Sequence, residues 1–121
     1  LYPVPAGARL ITFPRQEFVS RFFREFSVGL YQFLRRHQAE YDVVHCHGLW
    51  HWGALAPFLV GGRAKKVVTV HGLLDPWVYA RSRWKKRLID ALAQRAFLRR
   101  ADVIHVFNPD EQADVLRYLG D

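Results

Sequence analysis

The chain lacks the features that disulfide-stabilised, membrane-spanning and secreted proteins require. It contains one cysteine among 121 residues, so an intrachain disulfide is excluded and nothing in the sequence calls for an oxidising compartment. No apolar run approaches the roughly 18 residues of a membrane-spanning helix, and no signal-peptide pattern opens the chain. We therefore expect a cytoplasmic protein that is at most peripheral to the inner face of the cell membrane.

Acidic residues are also scarce. The chain has 11 of them against 18 lysines and arginines, which gives a net charge of +7 with histidine neutral. Such an excess favours an anionic partner: a nucleic acid, a phosphorylated substrate or an acidic membrane surface. Methionine is absent, and the chain begins with leucine, so we expect residues 1–121 to be a segment of a longer protein.

Hydrophobic residues make up 50% of the chain, which is enough for a packed core and excludes intrinsic disorder. Short runs at four places are predicted to be β-strands: residues 9–13, 42–46, 66–70 and 102–107. Three of these runs are rich in valine with little alternation, as in strands covered on both faces. Because helical patterns separate them, we expect an α/β protein: a Rossmann-like parallel sheet with helices on both faces.

The helical segments carry their own start signals. Apolar residues every four positions from Phe18 to Leu34 permit one long helix, whereas Ser27 can cap a shorter one and leave residues 15–26 as a mobile arm. Further helices are predicted at residues 53–60 and 83–100. The last predicted helix runs from the cap Asn108, with Glu111 in the capping-box position, to the stop at Gly120.

Two histidine–glycine pairs, His47-Gly48 and His71-Gly72, each follow a valine-rich strand. One strand–helix unit separates them, so they are expected side by side at one edge of the sheet. Ligands of such sheets bind at the carboxyl ends of the strands, and glycine allows the backbone to turn closely around a ligand. The sequence therefore predicts a ligand site here, with His71 as the first candidate for a functional side chain.

Other residues near these pairs have simpler interpretations. His45 and His105 lie inside strands and are expected to be core residues with hydrogen-bonded rings, while Cys46 is expected to be inert in the core. The tryptophans either stack on a sugar ring or base or cap the hydrophobic layer; they are Trp50, Trp52 and Trp77.

A zinc site is an alternative for the same histidines. His45, His47 and His71 offer three nitrogens, but from His45 onward Asp75 is the first carboxylate, and there is no CxxC or HExxH motif. We predict no metal and no other cofactor. A serine nucleophile and a nucleotide-binding glycine loop are not supported either, because GxSxG, GxGxxG and P-loop patterns are all missing.

A basic segment at residues 81–87 begins the longest predicted helix, where positive charge opposes the helix dipole. Four residues of this segment are predicted to face an anionic membrane: Arg83, Trp84, Lys85 and Lys86. A merely solvated helix face is the alternative. Nucleic acid is not predicted as a partner, because the aromatic residues are not interleaved with the basic ones.

Three strings taken in order resemble a known family: YDVVHCHGLWHWGALAP at 41–57, KVVTVHGLLDPW at 66–77 and RSRWKKR at 81–87. They are similar to the amino-terminal domain of family-4 glycosyltransferases, which are retaining enzymes of GT-B fold. The similarity covers most of residues 41–120 and points to the subgroup that builds exopolysaccharide, capsule and lipopolysaccharide chains. It implies that His71 is the catalytic strand-end histidine. It places His47 and Gly48 at the neighbouring strand end on the acceptor side, and Asn108 at a turn where the family usually has serine or threonine. Gly72 and Trp50, which adjoin the two histidines, complete the predicted substrate-binding residues.

The resemblance also implies what the whole enzyme does. It would transfer a sugar, with retention and without a metal, from a nucleotide sugar to a glycan or lipid-linked acceptor in cell-surface polysaccharide synthesis. Residues 1–121 correspond to part of the acceptor-side domain; the nucleotide-sugar domain lies outside them, so this segment alone is expected to be inactive. Two other classes stay open: a non-catalytic Rossmann-like module that binds anionic ligands or membranes, and a histidine-metal hydrolase.

Overall fold

The computed structural model describes residues 3–120, which form a three-stranded parallel sheet flanked by helices. Its strands, in sheet order, are β1 (Val43–His47), β2 (Lys65–Thr69) and β3 (Val103–His105). His47 lies beside Thr69, and Thr69 lies beside His105. The predicted Rossmann-like α/β fold with a parallel sheet is confirmed, although the described helices leave much of one sheet face exposed where helices were predicted on both. Three of the four predicted strands are confirmed, with ends shifted by one or two residues.

Seven α-helices are found among the described residues. They are α1 (Glu17–Ser20), α2 (Val28–His37), α3 (Trp52–Val60), α4 (Pro76–Ala80), α5 (Arg83–Ile89), α6 (Arg95–Arg99) and α7 (Pro109–Leu119). A 3₁₀ turn follows α2 at Gln38–Glu40. None of the described helices is both long and apolar enough to cross a membrane.

Residues 9–13 do not form a strand, so the prediction there was wrong. The segment makes no ladder with the sheet, and Leu10 is 70% exposed. Phe13 instead packs against Phe33 of α2, with 5.3 Å between ring centroids. A strand needs a neighbouring strand to satisfy its backbone, and that pairing partner cannot be read from the segment itself.

The two faces of the sheet differ. Side chains such as Cys46 and Val68 point to the face against which the helices pack, and both are buried. Side chains at alternate positions point to the other face, where His45 and His105 are exposed and Val103 keeps 53% of its area exposed. Strand alternation therefore places a hydrophobic core on one side and imidazoles on the other.

The predicted helix at 83–100 is interrupted by a π-helical turn at Asp90–Gln94. The turn buries Asp90 and Gln94 against the core. The Asp90 carboxylate accepts hydrogen bonds from the indole of Trp50 and the hydroxyls of Tyr79 and Tyr118. Because π turns insert an extra residue into a helix, the register shifts enough to bring both polar side chains inward.

Local capping signals are confirmed at two helices. The Ser27 hydroxyl accepts from the backbone N–H of Leu30, so α2 is the shorter of the two predicted helices. Asn108 accepts from the N–H of Glu111, and α7 ends at Gly120 with a φ of 84°. Caps are decided by residues within one turn, which is why the sequence alone predicts them well.

The arm before α2 is tied to the rest of the domain through Trp52. The indole of Trp52 packs against Phe26 at a tilt of 51°, with 4.7 Å between centroids, and donates to the carbonyl of Ser27 at 2.8 Å. Its backbone N–H donates to the carbonyl of Arg24 at 2.9 Å. This places the arm across the start of α3, next to the carboxyl end of β1.

Candidate functional site

The two histidine–glycine pairs meet at the carboxyl ends of β1 and β2. Nδ1 of His47 lies 3.0 Å from Nε2 of His71, a hydrogen bond between the two rings, whose centroids are 5.3 Å apart. Both side chains are exposed. The expectation that the pairs lie side by side at one edge of the sheet is confirmed, because parallel strands in register bring their carboxyl ends together.

The backbone around His71 is held in an unusual conformation. His71 has a φ of 53°, in the left-handed region that residues with a Cβ rarely occupy, and Gly72 follows at 66°. Strain of this kind is kept only where the surroundings impose it, and it is frequent at functional sites. The two successive left-handed residues turn the chain sharply, so the imidazole of His71 is directed back towards His47.

Glu111 fixes this turn from the opposite side. One of its carboxylate oxygens accepts from the backbone N–H of Gly72, and the other accepts from the N–H of Phe107 at 2.7 Å. Glu111 is buried although it stands in the first turn of α7. The sequence indicated it only as a capping residue. Its second role, joining the His71 loop to α7, depends on a contact 39 positions away in the chain.

A second row of polar side chains lies beside the pair, on the exposed face of the sheet. Nε2 of His45 is 2.7 Å from the hydroxyl of Thr69, which in turn is 3.2 Å from Nδ1 of His105. The rings are hydrogen-bonded as predicted, but the prediction that His45 and His105 are core residues was wrong. Strand alternation puts them on the face that the described helices leave open.

The pKa of His47 is lowered in the folded protein. Desolvation lowers it from 6.5, and positive charge on His45, His71 and His105 lowers it further. His47 is therefore neutral at pH 7, and a neutral imidazole offers one donor and one acceptor nitrogen. It can orient His71 through their shared hydrogen bond without adding charge to the site.

The remaining predicted substrate-binding residues are placed differently from one another. Gly48, at a φ of 84°, donates to the carbonyl of Thr69 at 2.8 Å and turns the chain after β1. Asn108 is exposed, but its side-chain oxygen is used as the cap of α7. Trp50 is only 8% exposed, and its indole is bound to Asp90. Its ring belongs to the core, so Trp50 has no exposed face on which a sugar could stack.

The four predicted membrane-facing residues differ in their exposure to solvent. Arg83 is exposed and Trp84 is 67% exposed, while Lys85 is half-buried beside the Trp84 ring. Lys86 turns inward: its ammonium donates to the carbonyl of Val78 and lies 4.6 Å from the centre of the Trp50 ring. Desolvation lowers the pKa of Lys86 from its ordinary value. Lys86 is half-buried and its ammonium is held between the Val78 carbonyl and the Trp50 ring, so its contact with a membrane stays a prediction.

Cys46 lies in the core below the histidines, 4% exposed, and burial raises the pKa of its thiol to about 11. A thiol with such a pKa is protonated at neutral pH and is neither a nucleophile nor a metal ligand. Across residues 3–120, no three side chains of histidine, cysteine, aspartate or glutamate are grouped so that they could hold a metal ion.

Comparison with protein families identifies the domain. The model for the glycosyl transferase 4-like domain matches residues 2–121, almost the whole chain. The chain belongs to this family. No curated protein and no solved structure matches it. For a glycosyl transferase 4-like domain, the histidine pair at the strand ends is the candidate active-site element, and the family assignment supports a transferase class of activity.

Proposed function

We propose that this domain is the acceptor-side half of a retaining glycosyltransferase, which moves a sugar from a nucleotide sugar to a glycan or lipid-linked acceptor of the cell surface. The observation that carries the proposal is the His47–His71 hydrogen bond at the strand ends of a glycosyl transferase 4-like domain. His71 is the catalytic residue of this proposal, and His47 is the residue that positions it. No metal and no cofactor is required.

The role proposed for His71 is hydrogen-bond donation in the transition state, which an exposed imidazole can perform. When the bond between the sugar and the diphosphate breaks, negative charge grows on the leaving oxygens and positive charge grows at the anomeric carbon. A fixed ring N–H can donate to a sugar hydroxyl or a phosphate oxygen more strongly in that transition state than in the ground state. The strained turn and the Glu111 contacts hold the ring in place before substrate arrives.

The test uses the full-length protein that contains residues 1–121, incubated with a panel of nucleotide sugars and membrane-derived acceptors. Release of nucleoside diphosphate is measured, and the anomeric configuration of the product is read by NMR. Transfer with retention supports the proposal. Inversion of configuration, or nucleotide release that does not depend on an acceptor, contradicts it.

A second candidate function is favoured by one specific feature, a groove of about 800 Å³ between the α5–α6 region and α7. Five arginines line it: Arg83, Arg87, Arg95, Arg99 and Arg117. Such a groove suits a non-catalytic module that binds an anionic ligand. Binding of inorganic polyphosphate that is lost in Arg83→Gln/Arg87→Gln, in a full-length protein without transferase activity, would favour this second function.

Peripheral attachment to an anionic membrane is part of the proposal. Arg83 and Trp84 are exposed at the start of α5 and Lys85 beside them is half-buried, so this end of the helix offers two charges and an exposed indole. A basic residue near an anionic leaflet contributes about 1 kcal/mol, and salt screens it. Cosedimentation with phosphatidylglycerol vesicles should fall when Arg83 and Lys85 are changed to glutamate, and binding to neutral vesicles should not change.

A further inference from the structure

An apolar groove of about 430 Å³ runs between the arm and the α5 region. The side chains that line it include Phe22, Trp52, Leu59, Trp84, Leu88 and Leu92. Several of these are large and largely open to solvent: Phe22 is 70% exposed, Trp84 67% and Leu92 76%. Neighbouring exposed apolar side chains of this size mark a binding surface in a protein that otherwise buries its core.

A basic cavity of about 370 Å³ adjoins this groove, and Phe22, Lys85 and Ile89 line both. Basic side chains surround the cavity: Arg21, Arg24, Arg81, Lys85 and Lys86. No acidic side chain is among its described lining residues. An anion that enters the cavity therefore meets positive charge from the arm on one side and from the start of α5 on the other.

Two acidic side chains adjacent in sequence to lining residues of the cavity are already engaged. Glu25 pairs with Arg24 at 3.5 Å and with Nδ1 of His51 at 3.1 Å. Asp90 accepts from Trp50 and the two tyrosines. Neither carboxylate neutralises Arg21 or Arg81, so the cavity keeps a positive surplus.

The cavity also contains an unsatisfied hydroxyl. The side-chain oxygen of Ser20 is buried and has no hydrogen-bond partner among the described residues. A buried polar atom without a partner costs free energy, about 1–3 kcal/mol, unless something fills the place.

We propose that the apolar groove and the basic cavity together bind one amphiphile, with its hydrocarbon chain in the groove and its phosphate among Arg21, Arg81 and Lys85. Leu49 and Leu73, which also line the cavity, each stand two residues beyond the histidines of the candidate site. A phosphate held there lies next to the His71 turn. Identification of this amphiphile as the lipid carrier of the acceptor rests on the proposed function, whereas binding of the amphiphile does not.

A second copy of the chain is a poor occupant for the same surface. Each chain carries a net charge of +7, and the groove is bordered by positive side chains. Two such faces would repel each other across a contact that removes water. The charge of the border instead complements a phosphate headgroup, which is why the occupant is an anionic lipid.

The experiment titrates the 121-residue chain with alkyl phosphates below their micelle concentration, by calorimetry and tryptophan fluorescence. Decyl phosphate is the probe; decyl maltoside carries the same chain without charge, and inorganic phosphate carries the charge without the chain. We expect decyl phosphate to bind more tightly than either. Affinity should rise about 4-fold per added methylene from hexyl to octyl phosphate, as expected for burial of hydrocarbon.

Variants separate the two halves of the site. Arg21→Gln/Arg81→Gln should weaken decyl phosphate about 10-fold or more and leave decyl maltoside unchanged. Phe22→Ser/Leu92→Asn should weaken both detergents. The matched controls are Arg35→Gln/Arg36→Gln and Leu10→Asn, exposed residues that line neither cavity; they should not alter binding. All variants alter exposed side chains, and thermal unfolding checks that each is folded.

Three outcomes would overturn the proposal. Equal affinity for decyl phosphate and decyl maltoside would show that the basic cavity does not bind the phosphate. Binding to phosphatidylglycerol vesicles without binding to monomeric decyl phosphate would indicate a general membrane surface. A dimer in sedimentation that Leu92→Asn dissociates would assign the groove to a second copy. Because none of these measurements needs a donor sugar, failure of glycosyl transfer would refute the proposed function and leave the amphiphile site standing.

Discussion

His47 and His71 share a hydrogen bond of 3.0 Å across the carboxyl ends of β1 and β2. The bond follows from the strand register, in which His47 lies beside Thr69, two residues before His71. The glycine after each histidine has a positive φ and turns the chain away from the sheet. Two copies of one short motif, one strand–helix unit apart, thus produce a single pair of side chains at the edge where ligands of parallel sheets bind.

The first prediction concerns pH. Since the pKa of His47 is lowered from 6.5, mainly by desolvation and then by the other three histidines, the folded state takes up this proton later than the unfolded state. Above pH 6.5 both states are neutral at this position. As the pH falls from 6.5 towards the lowered pKa, the unfolded state binds more protons and stability is lost.

Thermal unfolding between pH 7.5 and pH 5 measures this effect. The fall in Tm should be smaller in His47→Asn than in the unaltered chain, because asparagine takes up no proton. His37→Asn, at a surface residue that contacts Glu40, is the control and should not reduce the fall. An identical pH dependence in the unaltered chain and His47→Asn would show that folding does not lower the pKa of His47.

The second prediction compares the two glycines of the site. Both have positive φ, so alanine at either position should cost about 1 kcal/mol in backbone strain. A Cβ at Gly48 would lie 3.0 Å from Nε2 of His51, whereas at Gly72 it would meet nothing within 4 Å. Gly48→Ala must therefore also displace the His51 ring, which lies 2.8 Å from the carbonyl of His47.

Urea unfolding of the two variants decides the comparison. Gly48→Ala should lose about twice the free energy of unfolding that Gly72→Ala loses, and it should shift the NMR signals of His51 and His47. A larger loss in Gly72→Ala would mean that the loop after β2, and not the one after β1, is the tightly packed turn.

The third prediction tests the hydrogen bonds of Asp90. Burial, and then the Asp90 carboxylate, raise the pKa of Tyr118 and of Tyr79, so both hydroxyls remain donors at neutral pH. Asp90→Ala would leave these two hydroxyls and the Trp50 indole without their acceptor. We expect a loss of about 3 kcal/mol or more in the free energy of unfolding.

Asp114→Ala is the matched control for Asp90→Ala. Asp114 pairs with Arg117 on the surface of α7, where an ion pair contributes about 0–1 kcal/mol. Chemical denaturation of both variants gives the difference directly. If Asp90→Ala is no more destabilising than Asp114→Ala, the π turn is held by apolar packing and not by the carboxylate.

How far the sequence predicts this molecule depends on the range of the interactions involved. Features that depend on neighbouring residues or on strand register were predicted. They are the valine-rich strands, the caps at Ser27 and Asn108, and the histidine pair. The absence of a strand at 9–13 and the inward turn of Lys86 depend on partners elsewhere in the chain. So does the burial of Trp50, which is fixed by Asp90, 40 positions away, through a π turn that no local pattern indicated.

Prediction of the candidate site was divided in the same way. The two His-Gly pairs were found because the motif repeats. The sequence indicated Glu111 only as a cap. Its carboxylate also accepts from the Gly72 amide, a contact between α7 and the loop after β2 that no local pattern shows. The groove and the basic cavity were indicated only by the charge of residues 81–87. Phe22 of the arm lines the groove and Arg21 lines the cavity, but the sequence does not show this because it depends on the packing of the arm against Trp52.

The most direct measurement is the rate of sugar transfer by the full-length protein carrying His71→Ala, with His37→Ala, at a surface histidine outside the candidate site, as the control. We predict that His71→Ala lowers kcat/KM by about 100-fold or more while Tm stays within a few degrees of the unaltered protein, as for loss of a transition-state contact. His47→Asn should fall between the two, because it removes orientation of His71 and not the ring itself. Near-normal turnover by a folded His71→Ala protein would contradict the account, since the histidine at the end of β2 would then have no part in the reaction.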